Sequence, residues 1–176
     1  MRENIFESKI WKTPLLPVLP KEVQGIKNGT ISLADREEKN WQFFGGEAEG
    51  VPSPYAEKQD FDFSQLDEKG WEPVIVPGSL TMQGWDIENN REYYYRTKIT
   101  VPEDFAGRKI RIRFEGVYSS SRVWVNGRYV RTHIGGFTPF DCDLSDFSGE
   151  RELTLVVGVA DIEGKEDGIW NPEQEQ

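Results

Sequence analysis

The sequence is poor in the residues that build disulfide frameworks and transition-metal sites. It contains one cysteine, Cys142, and one histidine, His133, among 176 residues. A single cysteine excludes an internal disulfide, and one histidine with one cysteine gives no transition-metal ligand set. We therefore interpret Cys142 as a buried or half-buried strand residue rather than a nucleophile. A chain of this length can bury roughly 70% of its unfolded surface, so its core needs neither a disulfide nor a metal.

Positive charge and long apolar runs are also scarce. Lys and Arg number 21 against 31 Asp and Glu, which gives a formal net charge of −10. This balance disfavours nucleic acid, whose phosphates are neutralised by lysine and arginine. No stretch approaches the roughly 20 consecutive apolar residues of a membrane span, and residues 1–20 lack the basic start and apolar run of a signal peptide. We expect a cytoplasmic protein that binds neither nucleic acid nor membrane.

Short runs in which apolar and polar residues alternate predict β-strands from residue 41 onward. The predicted strands are residues 41–44, 73–78, 93–101, 110–115 and 153–159. Where every second side chain is apolar, the pattern is that of a strand with one buried and one solvated face. We also expect an edge strand around residues 29–34 and a turn or single helical turn at 67–71.

These strands predict an all-β fold. No helical period is sustained, and glycine and proline residues separate the strands. Six Trp, six Tyr and ten Phe suit the space between two sheets, which large aromatic side chains fill. We therefore predict a β-sandwich of two antiparallel sheets, most simply a jelly roll. Trp124 alternates with Val123 and Val125, so we expect it in the core or packed against a neighbouring domain, with sugar contact as the alternative.

The chain divides into three parts by its pattern. Residues 1–40 hold three prolines among the first 20 residues and show no clean period, which predicts an extended N-terminal arm. Residues 41–170 form the predicted sandwich. Residues 171–176 are an acidic tail or a truncated linker.

The segment 114–140 is the most informative stretch. Asn126 and Gly127 lie between two β-rich runs. A two-residue type I′ turn needs positive φ at both central positions, so Asn-Gly is the strongest short-range signal of a β-hairpin. The segment therefore predicts a strand, a short connection, a hairpin of two further strands, and a Gly135-Gly136 loop before a fourth strand.

The same segment resembles the N-terminal sugar-binding domain of glycoside hydrolase family 2, the β-galactosidase and β-glucuronidase group. It carries an FEGV strand, a VWVNG hairpin and an H-x-GG-F-x-P-F loop in that order. The flanking WEPVIVP, YYR and PFDCDL segments and the strand at 152–159 are similar to further motifs of that family. The resemblance extends over residues 41–170, about three quarters of the chain.

The resemblance implies a galactose-binding-domain-like jelly roll, in agreement with the fold predicted from the strands. It implies a non-catalytic domain that packs on a catalytic barrel and helps to shape its sugar pocket, with a carbohydrate, a β-glycoside, as ligand. The parent enzyme would be an O-glycosyl hydrolase, a retaining β-glycosidase, and members of the family are often homo-oligomers. In that family both catalytic carboxylates lie on the barrel, and no residue here matches their motifs, so we expect no catalytic residue in this chain. A free-standing carbohydrate-binding module and a purely structural assembly domain stay open as alternatives.

Two loops would contact sugar by motif position. Asn89 or Asn90 corresponds to a sugar-contacting asparagine of some members, and Asp161 or Asp167 lies near a sugar-contacting aspartate. Amide and carboxylate groups offer donors and acceptors to adjacent hydroxyls. The alternative for the two asparagines is an ordinary solvated turn. Trp85 is a fifth candidate, because an exposed indole can stack on a pyranose face; its alternative is burial against the end of the sandwich.

Three further residues are assigned to loop structure. His133 with Gly135 and Gly136 resembles the family's H-x-GG loop, and we expect His133 to fix that loop by hydrogen bonding rather than to act as a base. We expect no cofactor. A structural Ca²⁺ stays open as an alternative at the acidic loops 60–62 and 141–146, although the usual D-x-D-x-[DN]-G pattern is absent.

Overall fold

The computed structural model describes residues 22–23, 26–27, 31–34, 39–52, 59–88 and 91–160. It divides the chain into two compact units, Met1–Ser32 and Leu33–Gln176. In the first unit, strand β1 (Glu22–Val23) pairs with strand β2 (Ile26–Lys27) in an antiparallel hairpin. The edge strand expected around residues 29–34 is not seen in its described part, because residues 31–34 have no regular secondary structure.

The described residues of the second unit contain eight strands. They are β3 (Trp41–Phe44), β4 (Trp71–Val74), β5 (Glu92–Thr100), β6 (Arg111–Phe114), β7 (Ser120–Val125), β8 (Arg128–Ile134), β9 (Phe140–Asp143) and β10 (Glu152–Ala160). Single 3₁₀ turns lie at Phe63–Gln65, Glu68–Gly70, Thr81–Gln83, Glu103–Phe105 and Ser145–Phe147. Across the described residues we find no helix with the length and apolar character needed to cross a membrane.

The strands form two antiparallel sheets. One has six strands in the order β4-β3-β5-β10-β7-β8, and the other pairs β6 with β9. The main hydrophobic core contains alternate residues of the long strands, such as Leu153, Leu155 and Val157 of β10, together with Phe140 and Cys142 of β9. The predicted all-β sandwich of two antiparallel sheets is confirmed.

The other face of the six-stranded sheet carries a second core. Its buried members are Phe44, Phe63, Leu66, Trp71, Tyr94, Trp124 and Val156. Trp124 is fully buried there, as expected for a core residue. We predicted that one face of each of these strands would be solvated. This is wrong for the six-stranded sheet at the positions of the second core, where both faces carry buried apolar side chains.

Residues 59–66, which we call the strap, lie along this second core. The Trp124 indole Nε1 donates to the Gln59 carbonyl oxygen at 3.0 Å. The Phe61 N–H donates to the Gly127 carbonyl oxygen at 2.7 Å, and the Tyr129 N–H donates to Asp60 Oδ1 at 2.7 Å. The strap is thus fixed to the β7–β8 hairpin by three hydrogen bonds.

The hairpin at Asn126 and Gly127 is as predicted. Their φ angles are 49° and 78°, and the flanking strands β7 and β8 pair antiparallel. The expected helical turn at 67–71 is the 3₁₀ turn Glu68–Gly70. The four strands predicted over the segment 114–140 are β6, β7, β8 and β9.

The strand predicted at residues 73–78 is displaced. β4 begins at Trp71 and ends at Val74. The Gln83 side chain explains where it stops: its Oε1 accepts the Ile75 N–H at 2.8 Å, and its Nε2 donates to the Ile75 carbonyl oxygen at 3.1 Å. A side chain therefore takes both backbone groups of Ile75.

Candidate functional site

Four strands of the large sheet reach the same end of that sheet in one row of paired residues. Glu92 at the start of β5 pairs with Ala160 at the end of β10. Ala160 also pairs with Ser120 at the start of β7, which in turn pairs with Ile134 at the end of β8. We call this row the loop end, because the connections before β5 and β7 and after β8 and β10 all attach there.

The predicted sugar-contacting residues flank two of these strands. Asn89 and Asn90 precede β5, and Asp161 and Asp167 follow β10; all four lie outside the described residues. The pairing of Glu92 with Ala160 means that the two predicted loops attach to neighbouring strands at the loop end.

Trp85 is half-buried and packs on the main core. Its ring centroid lies 4.7 Å from that of Phe43 at an interplanar angle of 59°. The Trp85 N–H donates to the Leu80 carbonyl oxygen at 3.1 Å, and three residues later the Glu88 N–H donates to the Tyr93 hydroxyl at 2.9 Å. The segment between β4 and β5 is thus bonded to the start of β5, with part of the indole covered by the sandwich.

A buried ion pair lies directly beneath the loop end. The side chains of Arg122 and Glu92 are only 7% and 8% exposed. Arg122 Nε donates to Glu92 Oε1 at 2.8 Å, and Arg122 Nη2 donates to Glu92 Oε2. The same Nη2 donates to the Pro52 carbonyl oxygen at 2.8 Å, and the guanidinium carbon lies 4.7 Å from the centre of the Trp124 ring.

The ion pair also holds Tyr94. The Tyr94 hydroxyl donates to Glu92 Oε2 at 2.6 Å. Burial, together with the nearby charge of Glu92, raises the pKa of Tyr94 well above its usual value. Burial alone would lower the pKa of Arg122. The hydrogen bonds to Glu92 and the negative charge of Glu92 outweigh burial and raise the pKa of Arg122 above its usual value. Both carboxylate oxygens of Glu92 accept hydrogen bonds from Arg122 or Tyr94. The three side chains are therefore suited to fixing the start of β5 and not to proton transfer.

Gly158 makes room for this pair. It lies on β10, between its partners Tyr94 on β5 and Arg122 on β7. A Cβ at this position would lie 2.5 Å from Glu92 Oε1. Glu92 on β5 therefore reaches Arg122 on β7 across a strand that has no side chain there. The motif analysis missed this site, although Arg122 shares a strand face with Trp124, and a charged residue on a core face is a usable signal.

His133 lies near the end of β8 and contacts the loop that follows. Its Nε2 is 3.1 Å from the Gly135 carbonyl oxygen and 3.1 Å from Thr138 Oγ1. Its ring stacks on Phe140 with centroids 4.2 Å apart and planes 20° apart. Gly135 has a φ of 126°, in the range where glycine is favoured. This geometry suits a loop-fixing role and leaves Nε2 within the loop's own hydrogen bonds.

Two aromatic rings are exposed to solvent here, Phe137 in the loop after β8 and Tyr118 in the loop before β7. Phe137 is 88% exposed and Tyr118 is 57% exposed. Their ring centroids are 5.6 Å apart with planes at 61°. A Cβ on Gly136 would lie 2.3 Å from Tyr118 Cδ2, so the two loops pack closely together. This exposed pair was not anticipated from the sequence.

The acidic loops considered for Ca²⁺ have protein partners. Asp62 accepts the Ser64 N–H at 3.0 Å, and hydrogen bonding from Ser64 lowers the pKa of Asp62. Asp143 accepts the Ser145 N–H at 2.9 Å. Asp141 lies within ion-pair distance of two arginines of β6. Within the described ranges, no three His, Cys, Asp or Glu side chains come together as a metal site.

Comparisons with known proteins cover most of the second unit. The model of the family described as "Glycosyl hydrolases family 2, sugar binding domain" matches residues 46–173. A β-galactosidase of Thermoanaerobacter pseudethanolicus is 32% identical over 122 residues, which cover 66% of this chain and 16% of that protein. A β-galactosidase of Thermoanaerobacterium thermosulfurigenes is 28% identical over 133 residues, 73% of this chain and 17% of that protein.

Solved structures show the same fold. The β-glucuronidase of Faecalibacterium prausnitzii superposes with a TM-score of 0.55 at 27% identity, covering 74% of this chain and 20% of that one. A β-glucuronidase of Ruminococcus gnavus superposes with a TM-score of 0.52 at 21% identity, covering 69% of this chain and 20% of that one. This chain thus spans about one fifth or less of the length of the proteins it matches.

Proposed function

The chain belongs to the family of glycosyl hydrolases family 2 sugar-binding domains, and on that premise we propose that it is the non-catalytic sugar-binding part of a β-galactosidase-like glycoside hydrolase. In this role it packs on a catalytic barrel and completes the barrel's sugar pocket. The β-galactosidases among its relatives, of which it spans 16–17%, favour a β-galactoside as the substrate class.

The observation that carries the proposal is the pairing at the loop end. Because Glu92 pairs with Ala160, the loops that hold Asn89 and Asn90 and the residues after β10 attach to adjacent strands. Two loops from adjacent strand ends can reach one sugar together. An asparagine amide and an aspartate carboxylate then supply the donors and acceptors that neighbouring hydroxyls need.

The chemistry of hydrolysis belongs to the barrel in this proposal. A retaining glycosidase needs two carboxyl groups about 5–5.5 Å apart, one as nucleophile and one as acid and base. This chain contributes binding of the sugar and exclusion of water. The buried Glu92–Arg122 pair fixes the start of β5, so the loop before β5 is anchored at its C-terminal side.

The first experiment compares this chain with the complete polypeptide that its gene encodes. Both are assayed with nitrophenyl β-galactoside and nitrophenyl β-glucuronide. We expect the 176-residue chain to hydrolyse neither, and the complete gene product to hydrolyse the β-galactoside. A gene product that ends with this chain, and that binds sugars with quenched tryptophan fluorescence, would make it a free-standing carbohydrate-binding module instead.

The second experiment tests the sugar contacts in the complete gene product. We expect Ala substitution of one of Asn89 and Asn90, and of one of Asp161 and Asp167, to lower kcat/KM roughly 10- to 200-fold, because each removes a hydrogen bond to a sugar hydroxyl. Asp104→Ala, on an exposed 3₁₀ turn, is the control and leaves kcat/KM unchanged. If all four variants keep the kcat/KM of the parent, the proposed pocket contribution is wrong and a purely structural role stands.

A further inference from the structure

We propose that Tyr118, Ile134 and Phe137, which we call the aromatic patch, form the surface by which this domain docks on the apolar surface of its catalytic barrel. This inference rests on the proposed function and adds the surface through which the two parts meet. The three side chains are 57%, 48% and 88% exposed. The rings of Tyr118 and Phe137 are in contact, with centroids 5.6 Å apart, and contiguous exposed apolar side chains mark interaction sites more often than isolated ones do.

The exposure of the patch is built into rigid backbone. The Gly135 N–H donates to the Ser119 carbonyl oxygen at 2.8 Å, which joins the loop before β7 to the loop after β8. His133 holds the second loop through the Gly135 carbonyl oxygen and Thr138. Because these bonds fix both loops, Phe137 does not relieve its exposure by folding back on the sandwich. A preorganised apolar side chain favours association, since little conformational entropy is lost when it is covered.

The position of the patch points to the barrel. Ile134 is a member of the loop-end row, and the Ser119 N–H donates to the carbonyl oxygen of Ala160 at 3.2 Å. The patch therefore lies beside the point where the described chain leaves β10. A barrel that receives the loops before β5 and after β10 approaches this same end of the sheet, so it covers the patch when the sugar pocket is complete.

The chemistry of the patch fits protein better than sugar. The two rings meet nearly edge to face, at 61°, so they do not form one flat platform for a pyranose. Hydrogen-bonding groups beside the rings are engaged within the domain: the Ser119 and Gly135 N–H groups bond to backbone carbonyls, and His133 Nε2 bonds within its loop. What is presented outward is apolar, which suits an apolar partner surface.

Oxidative footprinting of side chains tests this directly. The 176-residue chain and the complete gene product are exposed to hydroxyl radicals, and oxidation is measured by mass spectrometry. We expect Phe137 and Tyr118 to react roughly tenfold more slowly in the complete gene product, because an interface core excludes solvent. Tyr129, which is half-exposed near the start of β8 at the end of the sheet opposite the loop end, is the internal control and should react equally in both.

The outcomes separate the inference from the proposed function. If the complete gene product is an active hydrolase and Phe137 stays equally reactive, the docking surface is wrong and the proposed function stands. If protection occurs already in the 176-residue chain and rises with its concentration, the patch joins two copies and the inference fails. Protection that depends on added galactosides overturns it in favour of a sugar site. If the gene product ends with this chain, both proposals fail.

A pair of variants provides a second readout. Tyr118→Ser with Phe137→Ser should lower the thermal midpoint of the catalytically active gene product and leave the midpoint of the 176-residue chain unchanged. Asp104→Ser, on the exposed 3₁₀ turn that follows β5 at the end of the sheet opposite the loop end, should change neither midpoint. A double variant that leaves both midpoints unchanged overturns the proposed interface, whatever its effect on sugar binding.

Discussion

Gly158 is the single residue on which the buried polar network most depends. A Cβ there would lie 2.5 Å from Glu92 Oε1 and 3.1 Å from Tyr94 Cε1. Gly158→Ala must therefore displace the carboxylate that pairs with Arg122. Because a buried guanidinium without its partner is strongly unfavourable, we expect a loss of about 2–4 kcal/mol in the free energy of unfolding.

Urea denaturation of the 176-residue chain measures this loss. Gly149→Ala is the matched control, since a Cβ at Gly149 meets nothing within 4 Å; we expect it to change the free energy of unfolding by less than about 0.5 kcal/mol. If the two glycine variants are equally stable, Glu92 moves aside without cost and the network is not held in place by Gly158.

At the scale of elements, the strap is the part of the fold that joins distant segments. Its hydrogen bond from the Tyr129 N–H to Asp60 Oδ1, at 2.7 Å, is made to a strand that begins 68 residues later in the printed sequence. Asp60→Ala leaves that N–H without its acceptor, and we expect a loss of about 1–2 kcal/mol in the free energy of unfolding. Asp60→Asn keeps an acceptor oxygen and should retain most of the stability.

Tryptophan fluorescence and limited proteolysis report whether the strap itself is released. We expect Asp60→Ala to shift the emission to longer wavelength, because the strap lies along the core that contains Trp124, and to speed cleavage within residues 59–66. Equal stability and equal cleavage in the Ala and Asn variants would show that the other two strap bonds hold it without Asp60.

The strap also shows why part of the fold could not be predicted from the sequence. Alternation predicted the long strands, and Asn-Gly predicted the hairpin with both φ angles positive, because these features depend on residues close in the chain. The alternation of apolar and polar residues does not show which segment covers the second face of a sheet. Tyr94, Trp124 and Val156 lie on that face and are buried, and they are covered by a segment that is far away in sequence.

The candidate site was predictable only in part. That the loops before β5 and after β10 contact sugar stays a prediction from motif order, and strand pairing brings the attachments of these two loops together at Glu92 and Ala160. The Glu92–Arg122 pair was missed because Glu92 alone reads as an ordinary solvated charge, although Arg122 on the strand face of Trp124 offered a usable signal. Only the pairing of β5 and β7 with β10 brings the two side chains together over Gly158. The exposed Phe137 was missed for the opposite reason, since an aromatic residue in a sandwich sequence is expected to be buried.

At the scale of the whole molecule, burial of three weak acids predicts a loss of stability in alkali. Burial raises the pKa of the Cys142 thiol to about 11, burial with the charge of Glu92 raises the pKa of Tyr94, and burial raises the pKa of Tyr95. In the unfolded chain the thiol ionises near 8.5 and the two phenols near 10. As the pH rises, the unfolded state therefore releases its protons first and binds fewer protons than the folded state. The free energy of unfolding must then fall with pH.

The stabilising contribution of all three groups is complete below about pH 8, and each then lowers the free energy of unfolding by up to about 1.4 kcal/mol per pH unit. The decline begins near pH 8.5 with Cys142 and becomes steeper near pH 10 with Tyr94 and Tyr95. Urea denaturation of the 176-residue chain between pH 7 and 11 measures this decline.

Variants assign the decline to single groups. Cys142→Ala should remove the decline between pH 8.5 and 10, and Tyr94→Phe should reduce the steeper part, whatever stability either variant loses at pH 7. Tyr118→Phe, at an exposed position, should leave the profile unchanged. A Cys142→Ala profile with the parent's slope from pH 8.5 to 10 would mean that the thiol ionises equally readily in the folded and unfolded chains, and so is not held neutral by the core.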